Sequence, residues 1–246
     1  MSGHSKWATI KHAKGAADAK RGQMFTKLIK EISIAARMGG GSLDGNPRLR
    51  TAILKARAAN MPKDNIDRAV KKGTGELAGV TYEELSYEAF APGGVALLIE
   101  VLTDNKNRAA ADVRNILTRA GGQLATAGSV SRLFKRQGLI SLDGEKYTED
   151  QVMEAAIEGG AEDVSLSSGL IEVTTAPEDF EAVANMLSEK SFETMSAEIS
   201  MVAEVDVSLD NEGTAKVLRL IEKLEENDDV QNVYSNINIP DGYSAD

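Results

Sequence analysis

Apolar residues recur at helical spacing in the first part of the chain. Between positions 25 and 36 they return every three or four residues, on Phe25, Leu28, Ile29, Ile32, Ala35 and Ala36. This spacing predicts a helix from about residue 16 to the glycines 39–41, with one buried face. Two shorter helices are expected after it, each opened by a proline, at Pro47 and at Pro62. The pattern indicates a three-helix unit preceded by an arm without clear periodicity.

After these helices the pattern changes to short strands separated by turns. Residues 82–91 and 95–102 are strand-like, and Pro92-Gly93-Gly94 between them is a turn signature, so we expect a hairpin. The polar stretch 103–108 then leads into a helix that ends at Gly121-Gly122. Plain helix capping explains this polar stretch, although a binding role stays open.

Six elements follow a further strand that is predicted over residues 128–136. They are strand 139–142, helix 148–159, strands 163–166 and 170–174, helix 177–189 and strand 193–202. This β-α-β-β-α-β order is the ferredoxin-like pattern. A helix over 211–226 and a strand over 230–237 come last, and we expect them to return to the first hairpin and complete its sheet.

These elements predict an α+β protein of three domains. An all-α three-helix N-terminal domain spans residues 1–75, and a discontinuous α/β middle domain spans 76–136 plus 204–246. A ferredoxin-like domain, residues 137–203, is inserted in the middle one. The hinge between the first two domains is placed at Gly73-Thr74-Gly75.

The sign of the charge reverses at this hinge. Residues 1–75 carry 16 Lys and Arg against 5 Asp and Glu, whereas residues 76–246 carry 12 against 33, which gives nets of +11 and −21. The overall pI near 4.9 therefore hides a basic module. The chain has no cysteine, which excludes disulfides and Cys-ligated metals. It also lacks a long apolar run and an apolar signal region, so we expect a cytoplasmic protein without a membrane partner.

Lysine and arginine concentrated in one module favour contact with the phosphates of a nucleic acid, and aromatic rings beside them are available for stacking on bases. The candidate nucleic-acid-binding residues are Lys6, Trp7, Lys11, His12, Lys14, Lys20, Arg21, Lys27, Lys30, Arg48 and Arg50. The alternative is a solvated helix face. No short turn joins two helices in the helix-turn-helix manner, so we expect backbone and shape readout or single-stranded contacts.

Other chemistries have no support in the sequence. His4 and His12 stand eight residues apart without a cysteine or clustered carboxylate, so they lack metal-ligand spacing. The acidic runs, Asp228-Asp229 among them, are interpreted as solvated surface. No glycine pair matches a phosphate loop, and no nucleophile has a neighbouring base. We therefore expect no enzymatic activity, no cofactor, no metal and no small-molecule substrate.

Specific motifs over nearly the whole chain resemble those of the YebC family. In the first module they are Gly3-His4-Ser5-Lys6-Trp7, Lys20-Arg21-Gly22, the triple glycine, Asn46-Pro47-Arg48-Leu49-Arg50 and Asn60-Met61-Pro62-Lys63-Asp64-Asn65. Further on they are Tyr87-Glu88, Pro92-Gly93-Gly94, Thr103-Asp104-Asn105-Lys106-Asn107-Arg108 and Gly128-Ser129-Val130.

The resemblance implies a helical N-terminal domain, two α/β domains and no enzymatic activity. Members are commonly described as transcriptional regulatory proteins that bind DNA. Others, including the mitochondrial translational activator of cytochrome oxidase, act at the ribosome and help difficult stretches such as proline runs. A DNA-binding regulator and a translation factor that binds the ribosome or its RNA both stay open, as does a scaffold whose ferredoxin-like unit docks a partner strand.

Overall fold

The structure is a computed structural model that describes residues 18–167, 169–240 and 243, with side chains from residue 21 on. Its helices are α1 Asp18–Gly39, α2 Pro47–Ala58, α3 Lys63–Thr74, α4 Lys106–Arg119, α5 Glu149–Glu158, α6 Phe180–Glu189 and α7 Asn211–Glu225. Its strands are β1 Glu83–Phe90, β2 Ala96–Thr103, β3 Gln123–Leu124, β4 Phe134–Asp143, β5 Asp163–Ser167, β6 Leu170–Thr175, β7 Thr194–Ala203, β8 Val207–Ser208, β9 Val230–Ser235 and β10 Ile237–Asn238. The described part is a mixed α+β fold with antiparallel sheets.

The first three helices form the predicted helical unit around their own core. Ile32, Leu49, Ala56, Ile66 and Ala69 are among its buried members. Asn46 fixes the turn between α1 and α2. Its side chain accepts from the amide of Leu49 at 3.0 Å and donates to the carbonyl oxygens of Ala35 and Gly40 at 2.8 Å each.

A glycine sets how closely α3 approaches α1. A Cβ at Gly73 would lie 2.3 Å from the carbonyl oxygen of Ser33, well inside contact distance. The Ser33 hydroxyl donates to the carbonyl oxygen of Ala69 at 3.1 Å beside this crossing. Only glycine allows these two backbones to meet so closely.

The first sheet has the strand order β3-β1-β2-β9, so its last strand comes from the C-terminal part of the chain. The predicted hairpin is confirmed, with Phe90 opposite Ala96 and Glu83 opposite Thr103. Helices α4 and α7 pack on one face of this sheet, where Leu97, Ile99, Leu117 and Leu220 are buried together. β2 lies in the interior of the sheet, and this position accounts for its nearly continuous apolar sequence.

The second sheet has the order β5-β6-β4-β7, and all neighbouring strands are antiparallel. Its strands and helices follow one another in the predicted β-α-β-β-α-β order. α5 and α6 cover one face, with Ile140, Leu142, Val173 and Leu187 in the core between them. A smaller cluster joins the two sheets and includes Leu98 of β2, Phe134 of β4 and Tyr234 of β9.

The strand predicted over residues 128–136 is wrong for its first half. Residues 131–133 form a turn of 3-10 helix, and β4 then runs without a break from Phe134 to Asp143. Glu88 on β1 explains the difference. Its carboxylate accepts from the amides of Gly128 at 2.7 Å, Val130 at 2.5 Å and Ser131 at 2.9 Å. Three amides that converge on one carboxylate require a turn, because amides along a strand point alternately to opposite sides.

Two further elements differ from the sequence prediction. The expected strand over 230–237 is split, since β9 ends at Ser235 and Ile237 pairs in parallel with Val207 of β8. The helix expected from residue 177 begins at Phe180. Within the described ranges, no helix is long and apolar enough to serve as a membrane span.

Replacing Glu88 by glutamine is expected to cost about 1.5–3 kcal/mol of unfolding free energy at pH 7, because three amides lose a charged acceptor. Burial raises the pKa of Glu88, but these amides more than offset it and hold the pKa below its ordinary value of 4.5. The carboxylate therefore stabilises the fold above pH 4.5, and this contribution is lost as the pH falls through the folded-state pKa.

Urea unfolding of wild type and Glu88→Gln at pH 7 and at pH 3 measures this effect. The difference between the two proteins should shrink at the acidic pH. Glu145→Gln, at an exposed surface position, is the matched control and should change stability little at either pH. An equal loss for Glu88→Gln at both pH values would contradict the carboxylate's role.

Candidate nucleic-acid interface

The basic side chains of the three-helix unit fall into two groups. Some are held inside the protein by carbonyl oxygens and carboxylates, and others point to solvent. The sequence does not distinguish the groups, because both consist of lysine and arginine at similar helical spacing. The structure separates them for every described side chain from Arg21 onward.

One face of α1 lies along the C-terminal end of α7. Gln23, Lys27 and Lys30, spaced by four and three residues, donate to the carbonyl oxygens of Glu226, Glu225 and Asp228, respectively. The Lys27 and Lys30 contacts measure 2.6 and 2.8 Å. The last carbonyls of a helix lack intrahelical partners and carry partial negative charge. Lys27 therefore caps the last residue of α7 from a neighbouring helix, whereas Lys30 binds the carbonyl oxygen of Asp228, beyond the end of α7.

Asp229, just beyond these carbonyls, binds two cations. Its Oδ1 lies 2.5 Å from Lys30 Nζ, and its Oδ2 lies 2.8 Å from Arg108 Nη2. Thr103 donates its hydroxyl to the same Oδ2 at 3.0 Å. The side chains of Lys30 and Asp229 are only 8% and 7% exposed. We call this group, Lys30, Thr103, Arg108 and Asp229, the Asp229 cluster.

The electrostatics of the cluster favour its charged form. Burial raises the pKa of Asp229, but hydrogen bonds from Lys30 and Arg108 more than offset it and lower the pKa overall. Asp229 and Asp104 raise the pKa of Arg108 in turn. The Lys30 ammonium also lies 5.7 Å from the centre of the Tyr82 ring.

The cluster corrects two interpretations of the sequence. Lys30 was predicted to bind nucleic acid, but its ammonium is buried against Asp229. Asp229 was expected at the solvated surface and is 5% exposed. The polar stretch 103–108 does cap α4, since Asn105 accepts from the amide of Arg108 at 3.0 Å. It also supplies Thr103 and Arg108 to the cluster, a second role that capping alone does not explain.

Arg48 is occupied as well. Its guanidinium binds both oxygens of Glu31 on α1, at 2.7 and 3.0 Å, and also reaches Glu84 on β1. These hydrogen bonds raise its pKa, with Glu31 as the largest cause. A bidentate pair of this kind leaves little of the guanidinium for a phosphate. Arg48 therefore connects α1, α2 and the first sheet.

Of the predicted residues, the solvent-facing group contains Arg21, which is exposed, and Arg50, which is partly exposed. Other members are Arg37, Arg57, Lys63, Arg68, Lys71 and Lys72. Among the described residues none of these eight has an ion-pair partner. Arg50 and Arg57 stand on either side of Leu54, which is 57% exposed, on the open face of α2. We call Arg50, Leu54 and Arg57 the α2 face.

The remaining predicted residues are not in the described part. Lys6, Trp7, Lys11, His12 and Lys14 lie outside the described residues. Lys20 is in α1, but its side chain is outside them too. Over the described residues there is no group of three or more His, Asp or Glu side chains arranged to hold a metal ion.

Asp229→Asn is expected to lower the free energy of unfolding by about 3–5 kcal/mol, because it leaves the Lys30 ammonium buried without its counter-charge. Urea unfolding of the full chain measures this change. Lys216→Gln, which removes an exposed pair with Glu212, is the control and should cost under about 1 kcal/mol. If the two variants unfold alike, the Asp229 cluster does not carry the stability assigned to it.

Two protein-family models match most of this chain. A model of the TACO1/YebC protein N-terminal domain matches residues 5–76, and a model of the TACO1/YebC second and third domain matches residues 82–237. A protein of Treponema denticola is 65% identical over 99% of this chain and 98% of its own length. One of Syntrophobacter fumaroxidans is 54% identical over 98% and 97%. Both are named probable transcriptional regulatory protein.

A solved structure is similar over most of the fold. It is the crystal structure of a conserved hypothetical protein from Aquifex aeolicus, 45% identical, with a TM-score of 0.81 over 92% of this chain and 93% of that one. The names of the relatives describe regulators rather than enzymes. With both family models matched along the chain, this protein belongs to the TACO1/YebC family of regulatory proteins.

Proposed function

We propose that this chain is a non-enzymatic, cytoplasmic regulator of gene expression that binds DNA through its basic N-terminal unit. The observation that carries the proposal is the solvent-facing group of cations on the helical unit. Residues 1–75 have a net charge of +11, whereas residues 76–246 have a net charge of −21. A one-signed cluster of unpaired cations attracts phosphates and releases their counterions on binding.

Within this unit the α2 face is the part of the described surface best suited to the backbone of a nucleic acid. Arg50 and Arg57 supply charge without an internal competitor, and the exposed Leu54 lies between them. Arg21 extends the charge along α1. The predicted contacts of Lys6, Trp7, Lys11, His12, Lys14 and Lys20 complete the proposed interface. Lys27, Lys30 and Arg48 are left out of it, because carbonyl oxygens and carboxylates already hold their charges.

Residues 76–246, which carry the net negative charge, make contacts with other proteins in this proposal.

We propose the division into a helical domain, residues 1–75, a discontinuous middle domain and an inserted ferredoxin-like domain. The pairing of β9 with β2 supports the discontinuous middle domain, and the sheet order β5-β6-β4-β7 supports the ferredoxin-like one. β4 is a single strand from Phe134 to Asp143, which supports a proposed first boundary of the insertion just before Phe134 rather than at residue 137.

A ribosome-binding translation factor is the second candidate, and one observation favours it. Residues 76–246, with a net charge of −21, are repelled by a long bare DNA duplex. On a ribosome the same residues would face basic ribosomal proteins, and the helical unit would contact ribosomal RNA. Relief of stalling at difficult sequences such as proline runs is the activity that the family resemblance implies for this candidate.

Reversing the charge of the α2 face tests the interface. Arg50→Glu with Arg57→Glu should weaken binding to a labelled oligonucleotide and make the slope of log K against log salt shallower by about 1.4–1.8, since two phosphate contacts are lost. Fluorescence anisotropy across a salt series measures both. The control is Lys216→Glu with Arg219→Glu on α7, the same charge change within the acidic remainder. An unchanged slope in the first variant, or an equal change in the control, would refute the proposed interface.

Competition separates the two candidates. Duplex DNA and purified ribosomes are offered to the protein together at moderate salt, and the complex is followed by co-sedimentation. A DNA-binding regulator should be released from ribosomes by equimolar duplex sites. Retention on ribosomes under excess duplex DNA would favour the translation factor and overturn the first candidate.

A further inference from the structure

The second sheet ends at β7, and the first half of this edge strand is open. In the order β5-β6-β4-β7, β4 is the only described strand that pairs with β7. The exposed residues of β7 are Thr194, Met195, Ser196, Ala197 and Ile199. Met201 and Ala203 in the second half pack toward the first sheet instead. Alternate residues of an edge strand direct their amide and carbonyl groups away from the sheet. Residues 194–199, which we call the β7 edge, can therefore take one more strand.

The β7 edge lacks most of the features that prevent the addition of a strand. It contains no proline, lysine or arginine, and its single charged residue, Glu198, pairs with Lys55 of α2 at 3.5 Å. Met195 and Ile199 are 56% and 37% exposed, and apolar side chains on an open edge favour association with another strand. The pairing with β4 shifts register at Met195, so regular pairing ends there and the added strand is expected to be short.

A cavity of about 430 Å³ borders the start of the β7 edge. Tyr147 and Phe192 form its aromatic wall, and their ring centroids lie 5.0 Å apart at an interplanar angle of 69°. Phe192 stands two residues before Thr194, which places it within about 7 Å of the edge along the chain. Glu154 also lines the cavity and has no ion-pair partner among the described residues. Aromatic walls beside a carboxylate suit the alkyl stem and the charge of an arginine or lysine side chain.

The charge around the edge and the cavity favours a basic partner. Residues 137–203 carry 15 Asp and Glu against 2 Lys, a net charge of −13. Both lysines are neutralised, since Lys146 pairs with Glu193 and Lys190 pairs with Glu158. A second copy of the chain would bring the same negative charge to this edge, so repulsion opposes a dimer through β7. The basic unit of a second copy is helical, so it offers no strand for the edge.

We propose that the β7 edge and the cavity beside it bind one extended, basic segment of another protein. The backbone of the segment adds to β7 as a short fifth strand, and one of its arginine or lysine side chains enters the cavity and pairs with Glu154. In this mode of recognition the main-chain hydrogen bonds supply affinity, and the side-chain pocket supplies sequence preference. The site lies outside the helical unit and does not depend on the proposed function.

Three synthetic peptides test the proposal with the full-length protein in the absence of nucleic acid. The first is a labelled peptide of about eight residues that alternates arginine and valine, and the second has glutamate in place of arginine. The third is the arginine peptide with N-methylated valines, which keeps its charge but loses backbone donors. Fluorescence anisotropy should show binding of the first, no binding of the second and binding of the third that is weaker by about tenfold or more. Hydrogen exchange at residues 194–199 should slow with the first peptide.

Matched substitutions at the two edges of the sheet locate the site. Ile199→Lys removes an apolar contact from the β7 edge and adds a positive charge, so the arginine peptide should bind about tenfold more weakly. Leu166→Lys makes the same change on β5, the opposite edge, where Leu166 is 47% exposed, and should change the affinity less than about twofold. Glu154→Gln should weaken binding about 2- to 5-fold, as for one exposed ion pair, and Asp163→Asn on β5 is its control. Circular dichroism confirms that each variant is folded.

Absence of binding by the arginine peptide would overturn the proposal. Equal binding of the N-methylated and unmodified arginine peptides would also overturn it, because attraction by charge alone would then explain the contact. An equal loss of affinity for the matched variants of β7 and β5 would place the peptide elsewhere. A dimer in sedimentation velocity that Ile199→Lys dissociates would show that the edge joins two copies of this chain. Failure of the proposed function leaves all these results unchanged, since none of them involves nucleic acid.

Discussion

The buried carboxylate of Asp229 is the contact on which the relation between the helical unit and the first sheet depends. It joins Lys30 of α1 to Thr103 and Arg108 at the end of β2 and the start of α4, and it does so directly after α7. Three segments that are far apart in sequence thus share one charged centre. Removal of the Asp229 carboxylate would leave the buried Lys30 ammonium uncompensated, so the contact imposes one arrangement on the segments as well as stabilising it.

Because Asp229 and nearby carbonyl oxygens bind some of the cations of the helical unit, its basic residues fall into two groups with different roles. On one side of α1, Lys27 and Lys30 neutralise the carbonyl end of α7 and the Asp229 carboxylate. Arg48 does the same for Glu31 and Glu84. Arg50 and Arg57 of α2 have no ion-pair partner among the described residues. The net charge of the unit therefore overstates what it presents to a polyanion, and the position of each cation decides its role.

Local patterns were sufficient to predict most helices and strands, because their caps, glycines and apolar spacing act within a few residues. The hairpin 83–103 and the capping of α4 by Asn105 are examples. Contacts between distant segments were not predictable in this way. Lys30 and Asp229 are 199 residues apart, and each looks like an ordinary surface charge in its own neighbourhood. The start of β4 was misplaced for the same reason, since Glu88 holds the preceding turn from a strand over 40 residues earlier.

The cations of the helical unit divide into those bound by internal oxygens, namely Lys27, Lys30 and Arg48, and exposed ones such as Arg57. The most direct measurement is the salt dependence of oligonucleotide binding for Lys27→Met compared with Arg57→Met, each of which removes one positive charge. We expect an unchanged slope for Lys27→Met and a slope shallower by about 0.7–0.9 for Arg57→Met. Equal loss of slope in the two variants would show that Lys27 also contacts phosphates, and would contradict the division.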